Sequence, residues 1–296
     1  MVVIVSMLME KKQWADLFID AFFNQNGLWC FMLMVVAMLA NISVEAIKWK
    51  ILVRSNTTFH FSTSLMAVFS GVTAGLITPH GIGDYIGRIL FLSPEKRLDN
   101  IGSVLFSRVA QLCITCLTGV FATAYFYFYV EADSNIILAL VTAVLTLLFI
   151  FISWKYRAYL LDRMKRIPFI KRIESWFEQL RLYSNKLFAI TLALSALRYI
   201  IFTAQFVCLL LFFDVHVPIE ILVIGAVFTF FVKSIIPTFI DLGVRELAAV
   251  FFFSSYDSIS EQHVLAASLS LWFFNLVLPA VIGLFCMFKL EYQKQK

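Results

Sequence analysis

Two stretches of this sequence combine residue types that could bind an anion. "GLITPHGIGDYIGR", residues 75–88, sets Pro79, His80, Gly81, Gly83, Asp84, Gly87 and Arg88 inside otherwise apolar chain. "SIIPTFIDLGVRE", residues 234–246, repeats the order with Pro237, Asp241, Gly243, Arg245 and Glu246. Further ionisable groups stand in apolar runs: Glu45, Arg108, Arg198 and Lys233. A charge at membrane depth costs at least about 2.5 kcal/mol on insertion scales, so each needs a reason. Arg198 is the most telling, twelve residues into the run 187–213 and out of easy reach of either surface. Arg108 lies nearer the end of its run, where snorkelling or helix packing would also account for it. Glu45, near the cytoplasmic end of the first helix, has a sufficient structural explanation in pairing with Lys48 or Arg88. Asp84 should pair with an arginine, and Glu246 with Arg245 or Arg198. The bases Arg88, Arg108, Arg198, Lys233 and Arg245 outnumber the acids Glu45, Asp84, Asp241 and Glu246. Arginine's planar fork suits phosphate oxygens, so an anionic head group is the natural guest. Helix N-termini after Pro79 and Pro237 would add backbone donors aimed at it. His80 could touch a phosphate or simply hydrogen-bond a turn. No metal, cofactor or catalytic residue set is expected.

The elements that position these groups follow from composition. The 296 residues are 61% hydrophobic and 15% charged, against about a quarter charged in soluble domains, which implies a polytopic membrane protein. Apolar runs occupy residues 28–47, 61–78, 102–130, 136–153, 187–213, 219–236 and 264–288, against the roughly 20 residues a spanning helix needs. Two shorter runs, 85–93 and 246–256, are too short to span alone. The five cysteines, Cys30, Cys113, Cys116, Cys208 and Cys286, all lie in apolar runs and read as small packing residues. Residues 1–27 read as an interfacial segment, since "MVVIVSMLM" precedes its lysine pair and so lacks the order of a cleavable signal.

Orientation follows from basic residues, because short basic loops stay cytoplasmic. Residues 154–186 carry nine bases against three acids, with apolar residues such as Leu160, Met164, Trp176 and Phe177 at helical spacing. This connector should be a cytoplasmic amphipathic helix pair on the anionic inner leaflet. The connections 130–135, 214–220 and 254–263 hold acids but no Lys or Arg and fall outside. Lys289, Lys294 and Lys296 then place the C-terminus in the cytoplasm. Trp29, Trp49 and Trp154 stand at run ends, as interfacial aromatics do.

With both Arg54 and Lys96 cytoplasmic, the chain between them is a hairpin that enters the membrane, turns near Pro79 and returns. The stretch around Pro237 has external flanks and would enter from the opposite face. The fold expected is all-α: a membrane bundle of two inverted halves, residues 28–153 and 187–296, each with a Pro/Gly-broken re-entrant hairpin. Paired interruptions of this kind point to a midplane substrate site.

These motifs resemble the lysylphosphatidylglycerol synthase transmembrane family, whose members are also described as flippase-like. Pro79, Gly83, Asp84 and Arg88 resemble its P-x-R-x-G-D-x-x-R pattern, and Pro237 through Gly243, Arg245 and Glu246 its second pattern ending G-V-R-E. Trp49 fits the family's R-W position. His80 and Gly81 depart from a basic position, Asp241 replaces a glycine, and Gln111 stands where an acid often follows Arg108. The resemblance implies moving or presenting an anionic lipid, an aminoacylated phospholipid or a polyprenyl-phosphate-linked sugar, across the cytoplasmic membrane. No segment is long and polar enough to be the family's soluble aminoacyl-transferase domain. Alternatives are a membrane-embedded lipid or glycolipid transferase, with Asp84 or Glu246 as base, and a non-transporting partner of a glycosyltransferase. A lipid-modifying enzyme or a second copy of the chain are possible partners, and nucleic acid is not expected.

Overall fold

The computed structural model describes residues 27–53, 60–78, 81–130, 134–164, 183–236, 242–256 and 259–295. These residues form helices and the turns between them, with no strand among them. That is the expected solution for apolar chain in hydrocarbon, where each backbone polar group must find its partner within its own segment. The helices are α1 (Gly27–Leu52), α2 (Phe61–Leu76), α3 (Gly83–Ile89), α4 (Pro94–Arg97), α5 (Ile101–Tyr129), α6 (Ser134–Lys155), α7 (Arg157–Met164), α8 (Asn185–Phe212), α9 (Ile219–Ile235), α10 (Val244–Phe253), α11 (Glu261–Trp272) and α12 (Leu278–Gln295). A 3₁₀ turn, Leu98–Asn100, joins α4 to α5, and a π-helical turn, Phe273–Val277, joins α11 to α12. Among the described residues, five stretches are long and apolar enough to cross a membrane: Gly27–Leu52, Pro94–Tyr129, Ile136–Lys155, Asn185–Phe212 and Glu261–Leu290.

The other two long apolar runs form the shorter helices α2 and α9, of 16 and 17 residues. Each is the first arm of a helical hairpin. In hairpin I, α2 stops at Leu76, and the Thr78 hydroxyl ties the turn by donating to Ala74 O (2.9 Å) and accepting from Gly83 N (2.7 Å). Gly81 takes φ +64°, a left-handed conformation that glycine adopts without a Cβ clash. Helix α3 then runs back along α2, so closely that a Cβ on Gly83 would strike the Ala74 carbonyl. One on Gly87 would lie 2.5 Å from Ser70 O. In hairpin II, α9 ends at Ile235, Gly243 takes φ +103°, and α10 returns along α9 with Phe228 and Phe252 ring centroids 5.4 Å apart. Pro79, His80, Pro237 and Asp241 lie outside the described residues.

The two hairpins share the last span. The α12 half packs along α2, where Thr73 Oγ1 donates to Ala280 O (2.7 Å), and Gly283 leaves no room for a Cβ against the Phe69 carbonyl. The α11 half packs against α8 and α10. One apolar core, including Phe206, Phe228, Phe252 and Leu271, lies under hairpin II; a second, including Trp49, Val68 and Val104, lies under hairpin I. Large apolar side chains such as Val36, Leu145 and Phe149 are exposed on the outside, as lipid-facing positions are.

Two of the tryptophans at run ends pack within the protein. Trp49 is fully buried, its ring beneath Arg88, in the cluster that α2 and α3 complete with Val68, Tyr85 and Ile89. Trp154 is only partly so placed, stacking on Phe188 at 4.4 Å while Arg157 lies over its other surface at 4.2 Å. Of the basic connector, the end of α6 and α7 are described, with Tyr156, Tyr159 and Leu160 exposed. Residues 165–182 lie outside the described residues, as do 1–26. After the connector, Tyr183 anchors the chain: its hydroxyl donates to Leu52 O (2.9 Å) and lies 2.7 Å from Ser103 Oγ.

Candidate functional site

Asp84 and Arg88 fall one turn apart on α3, so both project from one face. Arg88 Nε donates to Asp84 Oδ1 (2.7 Å), and its Nη1 reaches Glu45 Oε1 on α1 (2.6 Å). Gly71 makes the space: a Cβ there would collide with Asp84 Oδ1 and lie 2.9 Å from Arg88 Cγ. The second Asp84 oxygen, Oδ2, accepts from Arg108 of α5 through Nη2 (2.5 Å) and Nε (3.1 Å).

Glu45 is the hub. Its Oε1 accepts from Arg88 and from Ser107 Oγ (3.1 Å), and its Oε2 from Lys48 Nζ (2.8 Å) and Arg198 Nη1 of α8 (2.9 Å). Arg198 Nε donates to Asn41 Oδ1 (2.6 Å), and Lys48 Nζ to Ser195 Oγ (3.2 Å). The network runs from Arg108 through Asp84, Arg88 and Glu45 to Lys48 and Arg198, drawing α1, α3, α5 and α8 to one place.

Its charges do not balance. Four cations (Lys48, Arg88, Arg108, Arg198) face two carboxylates (Glu45, Asp84), leaving two positive charges over. Lys48 and Arg88 are sealed in, at 1% and 3% side-chain exposure, whereas Arg108 is 49% and Arg198 28% exposed. The surplus is therefore presented outward by two guanidiniums, each held through Nε and a terminal nitrogen, with donors left over. The ideal Cβ position of Gly81, in the turn of hairpin I, lies 3.9 Å from Arg108 Nη2, so the exposed head of Arg108 borders the break.

Hairpin II carries a second, self-contained cluster. Arg245 Nε donates to Glu246 Oε1 (3.1 Å) and to Ser268 Oγ of α11 (2.9 Å), and Arg245 Nη2 also contacts Glu246 Oε1. Glu246 Oε2 accepts from Gly243 N (2.8 Å), capping α10 with its own side chain. Both charged groups are buried and neutralise one another.

Of the residues singled out in the sequence, the structure thus brings Asp84, Arg88, Arg108 and Arg198 together, and gathers Gly243, Arg245 and Glu246 elsewhere. Gly83 serves the packing of hairpin I. Lys233 lies on the last turn of α9, partly exposed. At each described helix start one backbone donor has a partner within the chain: Gly83 N donates to Thr78 Oγ1 and Gly243 N to Glu246 Oε2. Glu246 pairs with Arg245, and Arg198 with Glu45. Sequence reasoning paired Glu45 with Lys48 or Arg88, as both contacts show, but missed Asn41, Ser107 and Ser195 and did not join Arg198 to Glu45. A signal was present: residues 41, 45 and 48 form one polar stripe on an apolar helix, and Ser195 and Arg198 share a face three residues apart.

The family model for the lysylphosphatidylglycerol synthase TM region matches residues 1–283. Among curated proteins and solved structures, nothing matches the chain significantly.

Proposed function

The chain belongs to the lysylphosphatidylglycerol synthase TM family, a family of membrane proteins, and we propose that it moves an anionic lipid across the membrane in the manner of a flippase. The observation that carries this reading is the surplus of two positive charges in the Glu45 and Asp84 network, presented by Arg108 and Arg198. Uncompensated charge in a low-dielectric interior is costly, and an anionic head group supplies the compensation. Arginine binds phosphate oxygens through two parallel N–H donors, which suits a phosphodiester or pyrophosphate better than a neutral head group. A polyprenyl-phosphate-linked sugar meets both requirements, whereas an aminoacylated phospholipid offers the phosphodiester with an ammonium beside it.

In this reading hairpin I enters from the cytoplasmic face and hairpin II from the outer face, so that the two halves are inverted and the site lies between two interrupted segments. Lys289 and the C-terminus face the cytoplasm, as does the basic connector 154–186, which rests on the anionic inner leaflet. The lipid tails stay in hydrocarbon while the head group passes Arg108 and Arg198. The π-helical turn Phe273–Val277 gives the last span a joint between the part packed on hairpin I and the part packed near hairpin II, which supports rocking of one hairpin against the other.

Reconstitution into phosphatidylcholine vesicles containing a trace of head-group-accessible fluorescent phosphatidylglycerol tests the proposal. Protein-dependent loss of inner-leaflet protection is expected, slowed at least about tenfold in Arg198→Ala and Arg108→Ala, a loss of about 1.4 kcal/mol or more. Unchanged movement in both variants would sink the reading.

A further inference from the structure

Three cations share the one carboxylate of Glu45, and only one of them can give up its charge. Arg88, Arg198 and Lys48 all donate to Glu45, at 2.6, 2.9 and 2.8 Å. Arginine stays protonated at any accessible pH, whereas a lysine ammonium in a buried site releases its proton when its surroundings stop favouring charge. The groups facing Lys48 are few. On its own helix there is Glu45; on α8, Ser195 and Arg198; from α3, Arg88 with Asp84 beyond it; from α5, Ser107, with Arg108 behind Asp84. Helix α2, packed on another face of α1, offers Ser64, whose hydroxyl already donates to Ala46 O. Lys48 Nζ thus has two partners, one a carboxylate contested by two permanent cations and the other a neutral hydroxyl that lone-pair donation can satisfy.

We infer that Lys48 is the proton-carrying group of this site, and that an anionic head group and a proton are bound together. This rests on the anion-site reading above. With the anion present, its negative charge offsets the two surplus positive charges and all four cations stay protonated. When the anion leaves, the network sheds charge by the one route open to it: the Lys48 ammonium loses a proton to solvent water, and its lone pair then accepts from the Ser195 hydroxyl. Rebinding of the anion reverses the step, the Nζ lone pair taking a proton from water to restore the N–H bond. Each promotes the binding of the other, because linkage is reciprocal. A monoanionic head group carried with one proton crosses without net charge, so its movement answers to a pH gradient and not to the membrane potential.

The test uses the full chain purified in a neutral detergent, weakly buffered, titrated with phosphatidylglycerol or phosphatidylcholine at a series of values from about pH 6 to about pH 10. Lipid binding is read by native mass spectrometry and proton movement by an indicator dye. The expected result is uptake of up to about one proton per phosphatidylglycerol bound over part of that range, none with phosphatidylcholine, and binding without uptake in Lys48→Arg. Lys48→Met, which removes the ammonium and keeps an unbranched stem, should bind the lipid more weakly and take up no proton. Wild-type binding of phosphatidylglycerol without proton uptake at every pH would overturn the inference and leave the anion site standing. Undiminished uptake in Lys48→Arg would overturn the assignment to Lys48. Absence of phosphatidylglycerol binding in the wild type would overturn both the anion site and this inference.

Discussion

Arg198 Nη1 meets Glu45 Oε2 at 2.9 Å, joining α8 to α1 across 153 residues of sequence. The contact makes one carboxylate the meeting point of both halves of the chain, because the same Glu45 also holds Arg88 of hairpin I and Lys48. Buried ion pairs add little net stability when complete, but removing one partner leaves the others desolvated and uncompensated.

Glu45→Ala is therefore expected to be the most damaging single change in the network. It strands Lys48 and leaves Arg88 with Asp84 alone, both cations almost fully buried, and it frees Arg198, at a cost of about 3–5 kcal/mol. Arg198→Ala should cost clearly less, since Glu45 keeps two cations and the arginine head is partly solvated. Thermal unfolding of the detergent-purified variants, followed by tryptophan fluorescence, checks the order; equal midpoints for the two would contradict it.

Ser268→Ala should destabilise hairpin II by about 1.5–3 kcal/mol, the range for a hydrogen bond to a charged group. The hydroxyl both accepts from Arg245 Nε and donates to Glu246 Oε1 at 3.1 Å, and it is the link between α10 and α11. A lowered unfolding midpoint with normal lipid movement at low temperature is the expected pair of results. Loss of movement without loss of stability would instead place this cluster in the substrate path.

The close approach of α3 to α2 predicts that Gly87→Ala splays hairpin I. Its Cβ would lie 2.5 Å from Ser70 O and 2.7 Å from Gly71 Cα, both backbone atoms that cannot swing aside. Overpacking of this kind costs about 1–3 kcal/mol. It also pulls Arg88 away from Glu45, so lipid movement should fall together with stability. Gly243→Ala meets no neighbour within 4 Å and is strained only through its φ of +103°. The pair separates steric from conformational demands on glycine, with stability and movement measured side by side.

The glycines, the aspartate and the arginine of these stretches were legible in the sequence because each acts locally. Glycine permits φ +64° at Gly81 and φ +103° at Gly243, and Asp84 and Arg88 lie one helical turn apart. That Arg198 needs a partner was legible too, since an isolated arginine in an apolar run demands one. Its partner was not, because spacing along the chain does not say which helices abut. Glu45 was legible as the partner of Lys48 or Arg88, and it holds both; what spacing along the chain does not say is that the same carboxylate also serves Arg198. The burial of Trp49 was not legible either, since a place at the end of an apolar run does not say which helices pack around it.

The charge of the lipid should matter more than the shape of its head group. At equal chain length, phosphatidylglycerol should compete with fluorescent anionic lipid for movement more strongly than phosphatidylcholine, because the two surplus positive charges favour a net negative head group over a zwitterion with the same phosphodiester. Raising salt should weaken the competition modestly, since exposed guanidiniums are screened and the buried members of the network are not. Competition assays in vesicles of mixed composition check both points.

The most direct measurement is an experimental structure in lipid nanodiscs containing phosphatidylglycerol. The account predicts a lipid phosphate within about 4 Å of the Arg198 or Arg108 guanidinium, beside the turn at Gly81, with Glu45 and Asp84 still holding the inner nitrogens. Lipid phosphates found only away from these residues, with both guanidiniums engaged solely by Glu45, Asn41 and Asp84, would contradict it.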